Sequence, residues 1–99
     1  MAGRVPTPEE VLTRLVAVNP EALLLEPRDA YDQALVDLTD DPQDRWPREG
    51  KVWVAVYSAE KCVDAIVELL DCDYTTALEW YGFNTSDAWV GPGTPTFVD

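Results

Sequence analysis

The chain has 99 residues, of which 19 are acidic, 7 are basic and none is histidine, so its net charge at pH 7 is −12. This length suits a single domain over residues 1–99, and a hydrophobic content of 46% is typical of a globule with a core. The charge argues against direct binding to nucleic acid or to an anionic membrane, because both attract surfaces rich in Lys and Arg. It favours a basic protein as the partner, with plain solubility as the alternative explanation.

The sequence also bears on the compartment of the protein. No apolar run approaches the roughly 20 residues that cross a bilayer, and residues 1–6 lack the apolar core of a signal peptide. We therefore expect a cytoplasmic protein. Cys62 and Cys72 are then expected as free thiols, since on one helix they would lie about 15 Å apart, beyond the reach of a disulfide. Two cysteines without histidine predict neither a metal site nor a cofactor.

The first predicted element is a helix that begins after Thr7. Thr7 can cap the helix, Pro8 suits its first turn, and Glu10 completes a capping box with Thr7. Apolar residues then recur on one face, which we expect to be buried: Val11, Leu12, Leu15 and Val16. Asn19 and Pro20 end the helix.

Three segments predict β-strands. Residues 22–25 are wholly apolar and are typical of a short buried strand, with a helical turn as the alternative. Residues 33–38 place alternate apolar side chains on one face. Residues 51–57 alternate most clearly, with valines on one face and Trp53 and Tyr57 on the other. We expect the valine face to meet the helices and the aromatic face to need a cover.

Residues 39–50 form the longest predicted loop, and the loop is polar and acidic. Three aspartates crowd its start: Asp40, Asp41 and Asp44. Trp46 lies between two arginines and is the best candidate for an exposed aromatic anchor at an interface. Carboxylate oxygens bind Mg²⁺ or Mn²⁺, so these aspartates and Glu49 also suggest an alternative function, a metal-dependent hydrolase. A solvated loop is the simpler interpretation.

Ser58 predicts the start of a second helix that has one apolar and one acidic face. The expected buried stripe is Val63, Ile66, Val67 and Leu70. The acidic face consists of residues that recur at every fourth position: Glu60, Asp64 and Glu68. Together with the three loop aspartates and Trp46, this face is the predicted partner-binding surface. An ordinary solvated helix face is the alternative.

Asp73 predicts the start of a third helix, which Gly82 ends. Residues 94–98 predict a last strand at the edge of the sheet, because Pro95 has no N–H for a ladder bond. The aromatic, glycine-containing segment between them is expected to close the fold over the aromatic strand face. Counted with the strand residues that it covers, this clasp comprises Trp53, Tyr57, Trp80, Phe83, Asn84, Trp89 and Gly91.

A pattern of specific residues runs through the second half of the chain. It consists of Tyr57, Glu60, Lys61, Phe83, Asn84, Ala88, Trp89, Gly91, Thr94 and Pro95. This pattern resembles that of a group of small uncharacterised proteins of bacteria and their phages. Residues 31–36 are similar to an earlier strand of that group, although Asp37 stands where the group has Gly. The resemblance implies a small α+β fold and a phage or prophage origin, and it implies no activity.

Together these elements predict one α+β domain, in which about three helices pack on a small, mainly antiparallel sheet of three or four strands. Catalysis is not expected, because no histidine is present to act as a general base.

The predicted function is binding of a basic protein partner in the cytoplasm of a bacterial host cell. The protein would act as an inhibitor of host or defence machinery or as a mimic of nucleic acid. The alternatives are the metal-dependent hydrolase and a small homo-oligomeric scaffold that buries Trp53 and Tyr57 against its own copy.

Overall fold

The computed structural model of the protein describes residues 6–42, 44, 50–82, 91 and 93–98. Within these residues the chain forms four α-helices, one 3-10 turn and three β-strands. In chain order they are α1 (Pro8–Val18), α2 (Arg28–Tyr31), the 3-10 turn (Asp32–Ala34), β1 (Leu35–Thr39), β2 (Val54–Ser58), α3 (Ala59–Leu70), α4 (Tyr74–Tyr81) and β3 (Thr96–Val98). The predicted α+β class is confirmed. No helix in the described ranges has the length and apolar character that crossing a bilayer requires.

The described strands form one sheet in the order β1–β2–β3. β1 pairs with β2 in the antiparallel sense, with Leu35 opposite Tyr57 and Thr39 opposite Val54. β3 runs parallel to β2, with Phe97 opposite Tyr57. The sheet is thus mixed, its longer pair is antiparallel, and β3 lies at an edge as predicted. α3 and α4 form the long connection that a parallel strand pair requires.

β2 is buried along its whole length, so both of its faces are covered. Ala55 and Tyr57 belong to the main hydrophobic core together with buried residues of α1 and α3, and Trp53 packs against that core. Val54 and Val56 are buried outside this cluster. The prediction that the valine face meets the helices is therefore wrong. The helices cover the aromatic face, where Tyr57 and Trp53 offer more apolar area than two valines do.

α1 begins as the sequence predicts. The Thr7 hydroxyl accepts a hydrogen bond from the Glu10 backbone N–H at 3.2 Å, and the Glu10 carboxylate accepts one from the Thr7 N–H at 3.5 Å. Val11 and Leu15 are buried, but Val16 is 51% exposed. The expectation of a buried Val16 is wrong because α1 meets the core along the line of Val11 and Leu15, and Val16 lies beside this line.

The start of α3 is also confirmed, since the Ser58 hydroxyl accepts a hydrogen bond from the Lys61 N–H at 3.2 Å. The buried residues of α3 are Cys62, Val63, Ala65 and Ile66. Leu70, which the sequence places in the buried stripe, is exposed at the end of the helix, where fewer side chains surround it. The stripe is turned instead towards Cys62 and Ala65, whose small side chains allow close packing. Cys62 and Cys72 are free thiols, as expected.

Residues 22–25 form no strand, so that prediction is wrong. The Leu23 N–H donates to the Gly93 carbonyl at 3.2 Å, and the Leu25 N–H donates to the Tyr57 hydroxyl at 3.0 Å. The backbone donors of this segment thus bond to a turn and to a side chain instead of to a neighbouring strand. Ala22, Leu24 and Leu25 pack against the core without forming a regular element.

β1 starts later than predicted, because residues 32–34 form the 3-10 turn. A bulge between Leu35 and Asp37 then shifts the register of β1 against β2. The bulge breaks the simple alternation of faces, so Leu35 and Leu38 are both buried while Asp37 is exposed.

α4 is capped by Asp73, whose carboxylate accepts a hydrogen bond from the Thr76 backbone N–H at 2.8 Å. This bond lowers the pKa of Asp73, because it stabilises the charged carboxylate. The helix ends at Tyr81, and Gly82 follows as its C-cap, as predicted. Gly82 has a right-handed backbone with φ −60°, so it ends the helix without the left-handed turn that glycine often provides.

Of the predicted clasp, the structure describes Trp53, Tyr57, Trp80 and Gly91. Tyr57 is fully buried, and the centroid of its ring lies 6.1 Å from that of Phe97. Tyr81 meets the same Phe97 ring edge-on at 5.5 Å, whereas Trp80 is 42% exposed. Among the described residues, Phe97 and Tyr81 therefore supply aromatic contacts at this face. The remaining clasp residues, Phe83, Asn84 and Trp89, lie outside the described residues.

Candidate partner-binding surface

α3 carries the acidic face that the sequence predicts. Glu60, Asp64 and Glu68 are all exposed. They recur at every fourth residue, so successive carboxylates are about 6 Å apart along the helix axis. Repulsion between neighbours at this spacing costs the helix about 0.3 kcal/mol for each pair. We call these three residues the α3 row. α3 has no basic residue in its last turn, and Lys61 lies in its first.

Two depressions extend the α3 row across the surface. One, of about 340 Å³, is lined by Gln33, Lys61, Asp64 and Glu68. The other, of about 500 Å³, is lined by Thr7, Pro8, Glu9, Leu12, Asp32 and Gln33. Because Gln33 lines both, the depressions adjoin, and they connect Asp64 and Glu68 of α3 with Asp32 of the 3-10 turn and Glu9 of α1. We call this surface the acidic belt and define it by Glu9, Asp32, Gln33 and the α3 row.

Arg28 and Lys61 moderate the charge of the belt. The Arg28 guanidinium donates to Asp32 through Nε at 2.7 Å and through Nη2 at 2.8 Å, which is a bidentate pair. The hydrogen bond to Asp32 raises the pKa of Arg28. Asp32 is thereby neutralised, while Lys61 lies in the depression beside Asp64 and Glu68. Glu9 lines a further depression with Glu10 and Arg14, so a cation lies near it as well. The negative character of the belt therefore rests mainly on the α3 row.

The acidic loop leaves the sheet away from the start of α3. Thr39 pairs with Val54, so Asp40 follows β1 at the end of the strand pair where β2 begins. α3 starts after Ser58 at the other end, and a five-residue strand spans about 16 Å. Of the other predicted loop residues, Asp41 is exposed and Asp40 and Asp44 are half-buried, while Trp46 lies outside the described residues. The register therefore places Asp40 at the opposite end of β2 from Glu60.

The metal-dependent hydrolase gains no support from the arrangement of these carboxylates. In residues 6–42, 44, 50–82, 91 and 93–98, no three His, Cys, Asp or Glu side chains are grouped as a metal site would require. Glu49, the remaining member of the predicted cluster, is not among these residues.

Tyr57, which the scaffold alternative would bury against a second copy, is already covered by its own chain. It has 0% exposure, and its hydroxyl accepts the hydrogen bond from the Leu25 N–H. Burial raises the pKa of Tyr57 to about 12. Trp53 is half-buried against the same core. A second copy is thus not needed to cover this face.

Glu9, Asp32 and Gln33 are the part of the belt that sequence reasoning missed. Glu9 lies in the first turn of α1, where its favourable interaction with the helix dipole is a sufficient reason for an acidic residue. Asp32 and Gln33 lie in a 3-10 turn that has no periodic pattern. Periodicity relates residues on one element, so no local signal places these side chains beside α3.

Comparison of the chain with protein-family models, with curated proteins and with solved structures found no match. The resemblance to phage and bacterial proteins stays a prediction.

Proposed function

We propose that this protein is a non-enzymatic binding protein whose acidic belt binds a basic region of a partner protein. The observation that carries the proposal is the exposed α3 row and its continuity, through Gln33, with Glu9 on α1. Such a surface attracts Lys and Arg side chains over a Debye length of about 8 Å at physiological salt. The net charge of −12 adds steering at longer range.

A partner with a basic groove that ordinarily holds nucleic acid fits this surface. A regular row of carboxylates presents a line of negative charge, as a phosphate backbone does. With the resemblance to phage and prophage proteins, this chemistry supports a role as an inhibitor of host or defence machinery in the bacterial cytoplasm. The proposal requires no catalytic group and no cofactor.

The first test is capture of the partner from a bacterial lysate on the immobilised protein at low and at high salt. We expect a basic protein to be retained at low salt and released at high salt, because screening weakens contacts between exposed charges. If the partner normally holds nucleic acid, duplex DNA added in solution releases it as well. Retention of no protein at low salt would count against the proposal.

The second test distinguishes binding by the acidic belt from binding that depends only on the net charge of the protein. The triple variant Glu60→Gln, Asp64→Asn and Glu68→Gln removes the α3 row. The matched control Glu21→Gln, Glu26→Gln and Asp29→Asn makes the same change of charge at exposed positions outside the belt. We expect the first variant to lose the captured partner and the control to keep it. Equal losses in both variants would show that overall charge, and not the belt, is responsible.

A further inference from the structure

A second surface, distinguished by large apolar side chains, lies where α3 joins α4. Large apolar side chains at this junction are substantially exposed: Leu69 (45%), Leu70 (39%), Tyr74 (54%) and Leu78 (44%). We call these four residues the apolar junction. Tyr74 and Leu78 are neighbours at i, i+4 on α4, and Leu69 and Leu70 end α3 just before the turn between the helices. Exposed apolar surface on the order of a few hundred Å² is typical of interaction sites.

Each residue of the apolar junction has an exposed carboxylate next to it in the chain. Glu68 precedes Leu69, Asp71 follows Leu70, Asp73 precedes Tyr74 and Glu79 follows Leu78, and all four acids are exposed. Residues 62–99 contain no Lys or Arg. The junction therefore combines apolar side chains with negative charge that no neighbouring cation in this stretch of sequence offsets.

This combination decides between the candidate occupants of the junction. A second copy of the chain would bring the same carboxylates and its own net charge of −12, so electrostatic repulsion opposes self-association here. A cationic segment gains from the same carboxylates. An amphipathic helix with Leu-like residues on one face and Lys or Arg beside them complements both the apolar side chains and the acids.

We propose that the apolar junction docks the apolar face of a cationic amphipathic helix in the partner protein. The inference rests on the proposed function, since Glu68 belongs both to the α3 row and to the surroundings of the junction. The basic residues of such a helix contact the carboxylates, and its apolar residues pack on Tyr74 and Leu78. The acidic belt attracts the partner, and the junction selects a helical, amphipathic one.

The test uses three synthetic probes: an amphipathic helix of Leu and Lys, a shuffled peptide of the same composition without an apolar face, and an oligolysine of equal charge. We expect the amphipathic peptide to bind at least about tenfold more tightly than the other two, because only its leucines can pack together on the junction. High salt should release the oligolysine and leave part of the amphipathic binding, since screening acts on charges and not on apolar contact.

The variant Tyr74→Ser/Leu78→Ser removes the apolar side chains of α4 without a change of charge. Its matched control is Val16→Ser/Val18→Ser, which removes two side chains of similar exposure, 51% and 49%, from α1. We expect the first variant to lose roughly tenfold in affinity for the amphipathic peptide, while its affinity for oligolysine and the affinities of the control stay unchanged. Circular dichroism verifies that both variants keep the helices.

The outcomes separate this inference from the proposed function. Equal binding of the amphipathic and shuffled peptides, or no effect of Tyr74→Ser/Leu78→Ser, overturns docking at the junction even if oligolysine binds. Failure of the wild type to bind any of the three probes counts against the proposed function itself. Self-association that the Tyr74→Ser/Leu78→Ser variant abolishes would assign the junction to a second copy and overturn the inference.

Discussion

Tyr57 connects the central strand to two other parts of the chain. Its ring lies in the core beside Phe97 of β3, and its hydroxyl accepts the hydrogen bond from the Leu25 N–H at 3.0 Å. The hydroxyl thus satisfies a backbone donor in a segment that has no strand partner. A single side chain provides what a ladder bond would otherwise provide, which is why an apolar segment at 22–25 can pack on the core without being a strand.

We expect Tyr57→Phe to destabilise the protein by about 1–2 kcal/mol, because the Leu25 N–H loses its acceptor while the ring keeps its packing. Chemical denaturation followed by tryptophan fluorescence measures the free energy of unfolding. The matched control is Tyr74→Phe, which removes a hydroxyl from a side chain that is 54% exposed and should change stability by less than about 0.5 kcal/mol. A Tyr57→Phe variant as stable as the wild type would show that the hydroxyl contributes nothing to stability.

The raised pKa of Tyr57 predicts a loss of stability at high pH. Its pKa is about 12 in the folded chain against 10.0 for an unperturbed tyrosine, because burial disfavours the charged phenolate. The buried neutral hydroxyl of Tyr57 contributes stability that is fully present below pH 10. This contribution is lost as the pH rises from 10 to about 12, because the unfolded chain loses the tyrosine proton before the folded chain does. The loss amounts to roughly 2–3 kcal/mol when complete.

Denaturation across this pH range tests the prediction, and Tyr57→Phe is the control. The variant has no hydroxyl at this position to ionise, so the free energy of unfolding should fall less steeply with pH than in the wild type. Parallel slopes in the two proteins would contradict the raised pKa.

At the level of elements, the helices begin at capping residues whose hydrogen-bond partners are close in sequence, so the sequence predicts these starts. Thr7→Ala removes the hydroxyl that accepts the Glu10 N–H and should cost about 1 kcal/mol of stability. Thr7→Ser keeps an oxygen at the same place and should retain most of the stability. Thermal unfolding of the two variants beside the wild type measures the difference, and equal melting temperatures for Thr7→Ala and Thr7→Ser would count against a role for the cap.

Capping also explains how much of the fold could be predicted. The starts of α1, α3 and α4 follow from Thr7, Ser58 and Asp73, because each cap acts within three residues of itself. Strands depend on partners that are far away in sequence. The bulge at Leu35 and the side-chain acceptor at Tyr57 arise from long-range contacts. Local alternation therefore misplaced the start of β1, and the short apolar run at residues 22–25 predicted a strand that does not form.

The same division applies to the candidate surface. The α3 row follows from the repeat of acidic residues at every fourth position, which is a property of one helix. Its extension to Glu9 requires the 3-10 turn to bring Gln33 between α1 and α3, and this depends on packing among three elements. The sequence therefore predicts the row but not the belt.

Across the whole molecule, repulsion between the acidic residues destabilises the folded state. The α3 row places like charges one helical turn apart, and the net charge of −12 adds repulsion over the compact state. The core must therefore supply stability in excess of this repulsion. The partner binding that we propose for the belt would be a reason for the chain to carry this charge at a cost in stability.

The dependence of the melting temperature on salt measures this cost in stability. Raising the salt concentration from about 0.01 M to about 1 M shortens the Debye length from about 30 Å to about 3 Å, so the melting temperature of the wild type should rise as repulsion is screened. The variant Glu60→Gln, Asp64→Asn and Glu68→Gln should melt at a higher temperature than the wild type at low salt and respond less to added salt. The control Glu21→Gln, Glu26→Gln and Asp29→Asn makes the same change of net charge without relieving repulsion within α3, so it should stabilise less. A melting temperature that falls with salt would mean that attraction between opposite charges, such as the Arg28–Asp32 pair, outweighs repulsion in the folded chain.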